Sequence, residues 1–412
     1  MGRFGLLGEG LTHSYSPLIH AELGSYEYKL YEKKPDEVEG FLMRGDFDGL
    51  NVTIPYKTTV LPFCAELSPA ARAIGSVNTI TRLTDGSLYG DNTDYFGFSY
   101  LLKKSGADPS AGKVIILGSG GSSLTAQAVL RAMNAGETVV ISRDGADNYD
   151  NIEKHSDADM IVNTTPVGMY PNNGVSPIKD LGIFHNCRTV IDLIYNPLRT
   201  ELLLQAEERG MVIADGLAML VAQAKCAAEQ FTRSFIPDEQ AETITIKIAI
   251  LTRNIILIGM PGCGKSSIGA ALAGMTGREF ADADELIVKT AGKTIPEIFS
   301  EDGEDAFRSL ETGALRALCK RSGLVIATGG GIVKRRENRN IIRQNGTVVF
   351  LDRDIGELPV TGRPLSEKEG VAALAVSRLP LYTQWSDHVF SGRGVEQTAA
   401  DIYEQLSGGL FL

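Results

Sequence analysis

The chain has 412 residues, 43% hydrophobic and 22% charged, which is ordinary for globular protein and too long for one typical domain. Residues 1–252 carry 31 acidic and 21 basic side chains, a formal charge of −10, and the remainder 20 and 19, or −1. Neither part has the basic footprint that nucleic acid or an anionic membrane requires, so any phosphate site must be local. Five cysteines (64, 187, 226, 263, 319) show no metal or redox spacing, which suits a reducing cytoplasm. Met1 leads straight into folded-looking sequence, with no signal peptide expected and no apolar run long enough to span a bilayer.

Residues 1–100 open with a strand, Phe4 to Leu7, and then the polar run Gly8 to Pro17. On local evidence this run is equally a plain turn before a Pro-led helix. Gly49-Leu50-Asn51-Val52-Thr53-Ile54-Pro55-Tyr56-Lys57, Ile74-Gly75-Ser76-Val77-Asn78-Thr79 and Gly90-Asp91-Asn92-Thr93-Asp94 follow. Three strand-like segments ending in amide, hydroxyl and charged groups suggest a site built at strand ends.

Residues 101–215 change character. The apolar run Lys113 to Leu117 reads as a buried strand, followed by Gly118-Ser119-Gly120-Gly121-Ser122-Ser123 and a helix from Leu124 to Ala135. The next strand is Thr138 to Ser142, so the segment reads as a βαβ dinucleotide fold. Ser123 stands where the fingerprint has its third glycine. Arg143 follows the second strand, where folds that prefer NAD place an acid. A guanidinium there can pair with a 2′-phosphate, or simply be a solvated surface charge. Further strands are expected at 160–162 and 189–193. Residues 216–236 form an amphipathic helix that includes Met219, Leu220 and Cys226. The segment 243–251 fits strand alternation and helical spacing alike; Pro237-Asp238-Glu239 is a good helix start and favours a helix to about Leu251.

The second part is organised by Gly259-Met260-Pro261-Gly262-Cys263-Gly264-Lys265-Ser266, between the apolar run 255–258 and a helical stretch from Ser267. Strand, G-x-x-x-x-G-K-[ST], helix is the phosphate-binding P-loop in its confirming context. Gly259, Gly262, Cys263, Gly264, Lys265, Ser266 and Ser267 would surround the phosphates of a nucleoside triphosphate. Lys265 supplies charge at the β/γ-phosphates and Ser266 a hydroxyl for Mg²⁺. A thiol at Cys263, near a helix N-terminus and an ammonium, is expected to be partly thiolate and open to alkylation. The alternative is a side chain turned into the core behind the loop.

Taken together, the motifs of the first ~235 residues resemble the shikimate dehydrogenase family, with a boundary soft by several residues. H-S-x-S-P, G-x-N-V-T-x-P-x-K, I-G-x-V-N-T and G-x-N-T-D stand in the family's order, joined by Asn163 to Met169 and Met219 to Gln223. The resemblance implies NADPH reduction of the ketone of 3-dehydroshikimate. Lys57 and Asp94 would be the acid/base pair, Ser14 and Ser16 would hold the carboxylate, and Thr53, Asn78, Tyr195 and Gln223 would bind the other polar groups. NADP(H) would lie on Gly118, Ser119, Gly120, Gly121, Ser122, Ser142, Arg143 and Gly216. Ser123 and a short stretch after Arg143 depart from the family.

Residues from ~253 onward resemble shikimate kinase, again with a soft boundary. Asp282-Ala283-Asp284, Phe307-Arg308-Ser309-Leu310-Glu311, Gly329-Gly330-Gly331, Arg363-Pro364-Leu365 and Arg378-Leu379-Pro380-Leu381-Tyr382 carry that likeness. It implies that Asp284 deprotonates the 3-hydroxyl of shikimate, that Arg308, Arg378 and the Gly330 backbone hold its carboxylate, and that Asp282 joins Ser266 at Mg²⁺. Arg363 would approach ATP from a lid, although the segment 352–378 is shorter than usual.

The expected architecture is therefore α/β throughout. A two-lobed dehydrogenase (substrate lobe 1–100, Rossmann-like NADP lobe 101–215, C-terminal helices 216–252) precedes a P-loop kinase with a central parallel sheet at 253–412. Two other readings stay open: a quinate/shikimate dehydrogenase with relaxed NAD/NADP use joined to the same kinase, and a nucleotide-binding regulator without turnover. The intact Lys57/Asp94 and Lys265/Asp284 sets argue against the regulator. Oligomeric state is left open.

Overall fold

The structure, a computed structural model, describes residues 2–11, 14–358 and 370–408. The chain divides into two compact units. One comprises Met1–Gly168, Ser176–Tyr195 and Leu202–Ile248, and the other Met169–Val175, Asn196–Glu201 and Ala249–Leu412.

The first unit holds two sheets. β1 (Arg3–Gly8), β2 (Glu27–Glu32), β3 (Gly49–Val52), β4 (Glu66–Leu67), β5 (Thr79–Arg82) and β6 (Leu88–Asp91) form a mixed sheet in the order β2-β1-β3-β5-β6-β4. β1 runs parallel to β2 and β3, while β5 is antiparallel to β3 and β6. That arrangement brings the ends of β3 and β6 and the start of β5 together, which is where the polar motifs lie. α1 (Ser16–Leu23), α2 (Pro35–Arg44), α3 (Pro69–Ile74) and α4 (Thr93–Ser105) accompany it.

The second sheet is parallel, in the order β11-β10-β9-β7-β8, from β7 (Val114–Leu117), β8 (Thr138–Ile141), β9 (Met160–Asn163), β10 (Thr189–Asp192) and β11 (Val212–Ala214). β7, β9 and β10 are buried along their whole length, as expected of strands covered on both faces. α5 (Gly121–Ala132) starts three residues before the expected Leu124, because its first turn is made by the glycine-rich run itself. α6 (Glu201–Glu208), α7 (Leu217–Thr232) and α8 (Asp238–Thr252) follow. The ambiguous segment is thus helical: Ala241, Ile244 and Ile248 line one buried face, and Ile246 points to solvent.

The second unit is built on one parallel sheet, order β13-β14-β12-β15-β16. Its strands are β12 (Asn254–Ile258), β13 (Glu279–Asp282), β14 (Leu324–Ala327), β15 (Gly346–Asp352) and β16 (His388–Ser391). The central strand β12 is wholly buried and feeds the P-loop directly into α9 (Lys265–Thr276). α10 (Ala283–Ala291), α11 (Ile295–Glu297), α12 (Gly303–Cys319), α13 (Arg336–Gln344), α14 (Val371–Trp385) and α15 (Val395–Ser407) complete it. The crevice beyond the carboxyl ends of such a sheet is where ligands bind in open α/β folds. All three sheets match the expected α/β architecture.

Candidate active sites

In the first unit, the chain leaving β3 carries Thr53 and Lys57, Asn78 precedes β5, and Asp94 lies in the first turn of α4. Lys57 Nζ sits 2.6 Å from Asp94 Oδ2, with the two side chains 24% and 14% exposed. Gln223 reaches the same place from α7, because α4 and α7 can approach closely. A Cβ on Gly97 would lie 2.7 Å from the Met219 carbonyl oxygen, so only glycine allows that crossing. Asn78 Nδ2 consequently comes within 3.5 Å of Gln223 Oε1.

Ser16 is buried at the start of α1, and its N–H donates to the half-buried Ser14 Oγ at 3.2 Å. Between them Tyr15 packs its ring 5.2 Å from that of Tyr195, which follows β10. Burial pushes the Tyr195 hydroxyl up to about 12, and the neighbouring Tyr15 adds to the rise. Thr53 is half-buried, and its N–H donates to the Leu7 carbonyl.

At the end of β7 Gly118 has φ +101°, and Ser119, Gly120 and Gly121 are exposed ahead of α5, with Ser122 in the first turn. A Cβ on Gly120 or Gly121 would meet nothing within 4 Å. Open backbone at a helix N-terminus fits a pyrophosphate. Ser123 is buried, with its hydroxyl accepting from Gln127 Nε2 at 3.1 Å, so the missing glycine is replaced by a small residue that still packs. Ser142 is half-buried after β8; Arg143 beyond it is exposed and forms no ion pair among the described residues. Gly216 is buried at the N-terminus of α7, its N–H bound to the Ile194 carbonyl.

In the second unit a cavity of about 430 Å³ lies over the P-loop. The P-loop residues Pro261, Gly262, Gly264, Lys265, Ser266 and Ser267 line it together with Asp282, Asp284, Arg308, Glu311, Gly329, Gly330, Gly331 and Arg378. Ile295, Pro296, Phe299 and Phe307 form an apolar wall. Lys265 Nζ donates to the Gly259 and Met260 carbonyls, both at 3.0 Å. Gly259 itself has φ +147°, and a Cβ there would lie 2.7 Å from the Leu351 carbonyl oxygen.

Ser266 Oγ donates to Asp282 Oδ2 at 2.6 Å. This hydroxyl and carboxylate are hard oxygen donors beside the P-loop, and so few that the other positions of a bound ion would stay open to phosphate and water. That donor set fits Mg²⁺ held between protein and nucleotide. Asp284 is pushed above the ordinary carboxylate range, first by burial and then by the charge of Asp282, against the pull of Lys265 and Arg308. Its Oδ1 is buried without a hydrogen-bond partner.

Arg378 is 2% exposed and donates through Nη1 to the Gly330 carbonyl at 3.1 Å, leaving Nε and Nη2 buried and unpartnered. A buried guanidinium with two unused donors beside a cavity is made for an anionic or carboxylate group. Arg308, also buried, is held by Glu311 at 2.7 Å and Glu304 at 3.2 Å.

Two features escaped the motif reading. Glu311 closes the motif Phe307 to Glu311, and its i,i+3 spacing from Arg308 puts both on one helix face. The Tyr382 hydroxyl donates to the Gly330 carbonyl, fixing that peptide together with Arg378. One expectation is corrected: Cys263 is not an exposed thiol. It is 3% exposed among the core residues under the loop, with Sγ 3.8 Å from Lys265 Nζ. Flanking glycines gave no cover, but the loop curls over the side chain. Arg363 lies outside the described residues.

Known proteins resemble both parts of the chain. Residues 6–80 match the shikimate dehydrogenase substrate binding domain family, and residues 261–407 the shikimate kinase family. The chain is 38% identical over 267 residues to shikimate dehydrogenase (NADP(+)) of Methanopyrus kandleri, covering 57% of this chain and 91% of that one. Among solved structures, a chorismate mutase/shikimate 5-dehydrogenase fusion protein from Clostridium acetobutylicum aligns with a TM-score of 0.57 and 34% identity, over 60% of this chain and 96% of that one. Shikimate 5-dehydrogenase from Thermus thermophilus in complex with NADP(H) and shikimate aligns at 0.55 and 30%, over 60% and 99%.

Proposed function

The chain belongs to the shikimate dehydrogenase family and continues into a shikimate kinase domain, and on that premise we propose that one polypeptide carries out two consecutive reactions. Residues 1–252 would reduce 3-dehydroshikimate to shikimate with NADPH, and residues 253–412 would phosphorylate shikimate on its 3-hydroxyl with MgATP. The observation that carries this reading is the pair of separate polar constellations, each with its own lysine and aspartate: Lys57 with Asp94, and Lys265 in one cavity with Asp284.

In the reductase, NADPH supplies the hydride when bound. Lys57 gives a proton to the carbonyl oxygen as it becomes an alcohol, and Asp94 orients the ammonium. Ser14 and Ser16 receive the substrate carboxylate, while Thr53, Asn78, Tyr195 and Gln223 hold its hydroxyls. Arg143 pairs with the 2′-phosphate, supported by its exposed, unpaired guanidinium beyond β8.

In the kinase, Mg²⁺ held by Ser266 and Asp282 neutralises phosphate charge when bound. Asp284 takes the proton of the 3-hydroxyl, a role its raised proton affinity suits. Arg308 and Arg378 clamp the carboxylate, and Lys265 turns from the loop carbonyls to the β/γ-phosphates. All five cysteines are free thiols, which supports a reducing compartment, the cytoplasm. No helix among the described residues is long and apolar enough to cross a membrane.

The test supplies 3-dehydroshikimate, NADPH and MgATP together and follows absorbance loss and shikimate 3-phosphate. NADPH oxidation without phosphate transfer would remove the kinase half of the reading; neither would leave the nucleotide-binding regulator. Equal use of NADH and activity on quinate would favour the relaxed dehydrogenase instead.

A further inference from the structure

Beneath the reductase site runs a buried line of hydroxyls and amides to which no role has been given. Tyr28 Oη donates to Asn51 Oδ1 at 2.8 Å, and Asn51 Nδ2 donates to Thr79 Oγ1 at 3.3 Å. Thr79 and Asn51 face each other across β3 and β5, and Thr79 has no exposure to solvent. Thr79 Oγ1 lies 3.0 Å from Thr93 Oγ1 and 3.2 Å from Asn78 Oδ1. Thr93 in turn donates its backbone N–H to Asn78 Oδ1 at 2.7 Å, and its hydroxyl lies 3.2 Å from the same oxygen and 3.4 Å from Gln223 Oε1.

The Asn78 end of this line is fixed by a group that cannot turn round. A backbone N–H can only donate, so the atom of Asn78 nearest Thr93 must be its oxygen, and the amide cannot flip. Tyr28 gives its proton to Asn51 Oδ1, which turns the Asn51 amino group toward Thr79. Thr79 therefore accepts on that side and has one proton, which can only go forward to Asn78 or Thr93. Both Asn78 and Gln223 then have their oxygens engaged; one amino hydrogen of Asn78 is turned to Gln223 Oε1 at 3.5 Å and one of Gln223 to the Leu220 carbonyl at 2.8 Å, so each amide keeps one N–H unengaged.

We propose that Thr79 is a positioning residue of the reductase: as the second donor to Asn78 Oδ1 beside the Thr93 backbone N–H, it holds the Asn78 amide at the angle that presents its free N–H to the substrate, so that this wall selects substrate oxygens that accept. The proposal rests on the assignment of Asn78 to the substrate site. Thr79 itself touches no substrate; it acts through Asn78.

Steady-state kinetics of the full-length protein test it. Thr79→Val keeps the shape and removes the hydroxyl, and should raise KM for 3-dehydroshikimate about tenfold, the worth of roughly one lost neutral hydrogen bond. KM for NADPH and the pH profile of kcat should not move, and Thr79→Ser should restore KM to within about twofold. In an Asn78→Ala background, Thr79→Val should add no further rise. Thr79→Ala offers the same readouts should the valine variant fail to fold. An unchanged KM in the variants, or the full effect persisting without the Asn78 amide, would overturn the proposal. A wild-type protein that does not reduce 3-dehydroshikimate would sink the functional reading instead, so the two failures are told apart.

Discussion

Glu311 presents its carboxylate to Arg308 Nη1 across 2.7 Å, and neither side chain has appreciable contact with solvent. Burial raises the proton affinity of Glu311, and the Arg308 charge opposes that rise. Removing one partner of such a pair strands the other charge, at a cost of about 3–5 kcal/mol. Glu311→Ala should therefore destabilise the second unit by that order in urea unfolding and raise KM for shikimate. A loss under about 1 kcal/mol would mean that Glu304, at 3.2 Å, suffices to hold Arg308.

His20 gives the first unit a pH-dependent stability. It is 1% exposed, its ring is stacked on Tyr28 at 3.8 Å, and burial lowers its pKa from 6.5 to about 3. Between those values the unfolded chain holds a proton that the folded one does not. The contribution of the neutral ring is thus complete above pH 6.5 and is lost progressively as pH falls toward 3. The full span amounts to on the order of 4–5 kcal/mol. His20→Phe, which keeps an aromatic ring against Tyr28, should flatten this part of the stability curve. An unchanged slope between pH 6 and 4 (about the middle of that window) would show that other groups set it.

The two activities should separate. Lys57→Ala removes the ammonium from Asp94 and should cut reductase kcat by about three orders of magnitude or more, leaving kinase turnover intact. Lys265→Ala should do the reverse. Each variant is assayed for both reactions, and loss of both with the fold retained would falsify independent sites.

How far the sequence reaches is visible in single residues. Motifs at strand ends foretold that Lys57, Asn78 and Asp94 converge, because a strand end is a fixed point once its apolar run is recognised. α8 was decidable because its start signal and the spacing of Ile244 and Ile248 agree. What escaped was set by tertiary contact. Cys263 looked open between two glycines, yet the curl of the P-loop buries its sulfur. Glu311 and Thr79 matter through partners, Arg308 three residues away and Asn51 on a neighbouring strand, and no one-dimensional pattern states which partner a buried polar group finds.

Cofactor choice should turn on Arg143. Only NADPH has a 2′-phosphate for its exposed guanidinium, and a charge-assisted contact is worth about 1.5–3 kcal/mol. Arg143→Ala should raise KM for NADPH by about tenfold or more and leave KM for NADH nearly unchanged. Equal effects on both cofactors would show that Arg143 does not read that phosphate.

The thiols should be quiet toward alkylation. Cys263 is sealed under the P-loop, so a small reagent reaches it only when the loop opens, and kinase activity should survive brief treatment. Cys64 and Cys226 are the half-buried cysteines, and burial pushes both up to about 11. At pH 7 the reactive thiolate is then on the order of one part in ten thousand, far below a free cysteine. Peptide mapping after limited iodoacetamide treatment should find slow labelling at Cys64 and Cys226 first, and none at Cys263, with or without MgATP. Rapid modification of Cys263 that MgATP blocks would mean that the loop opens in the free protein, and that the sulfur beside Lys265 is exposed in solution.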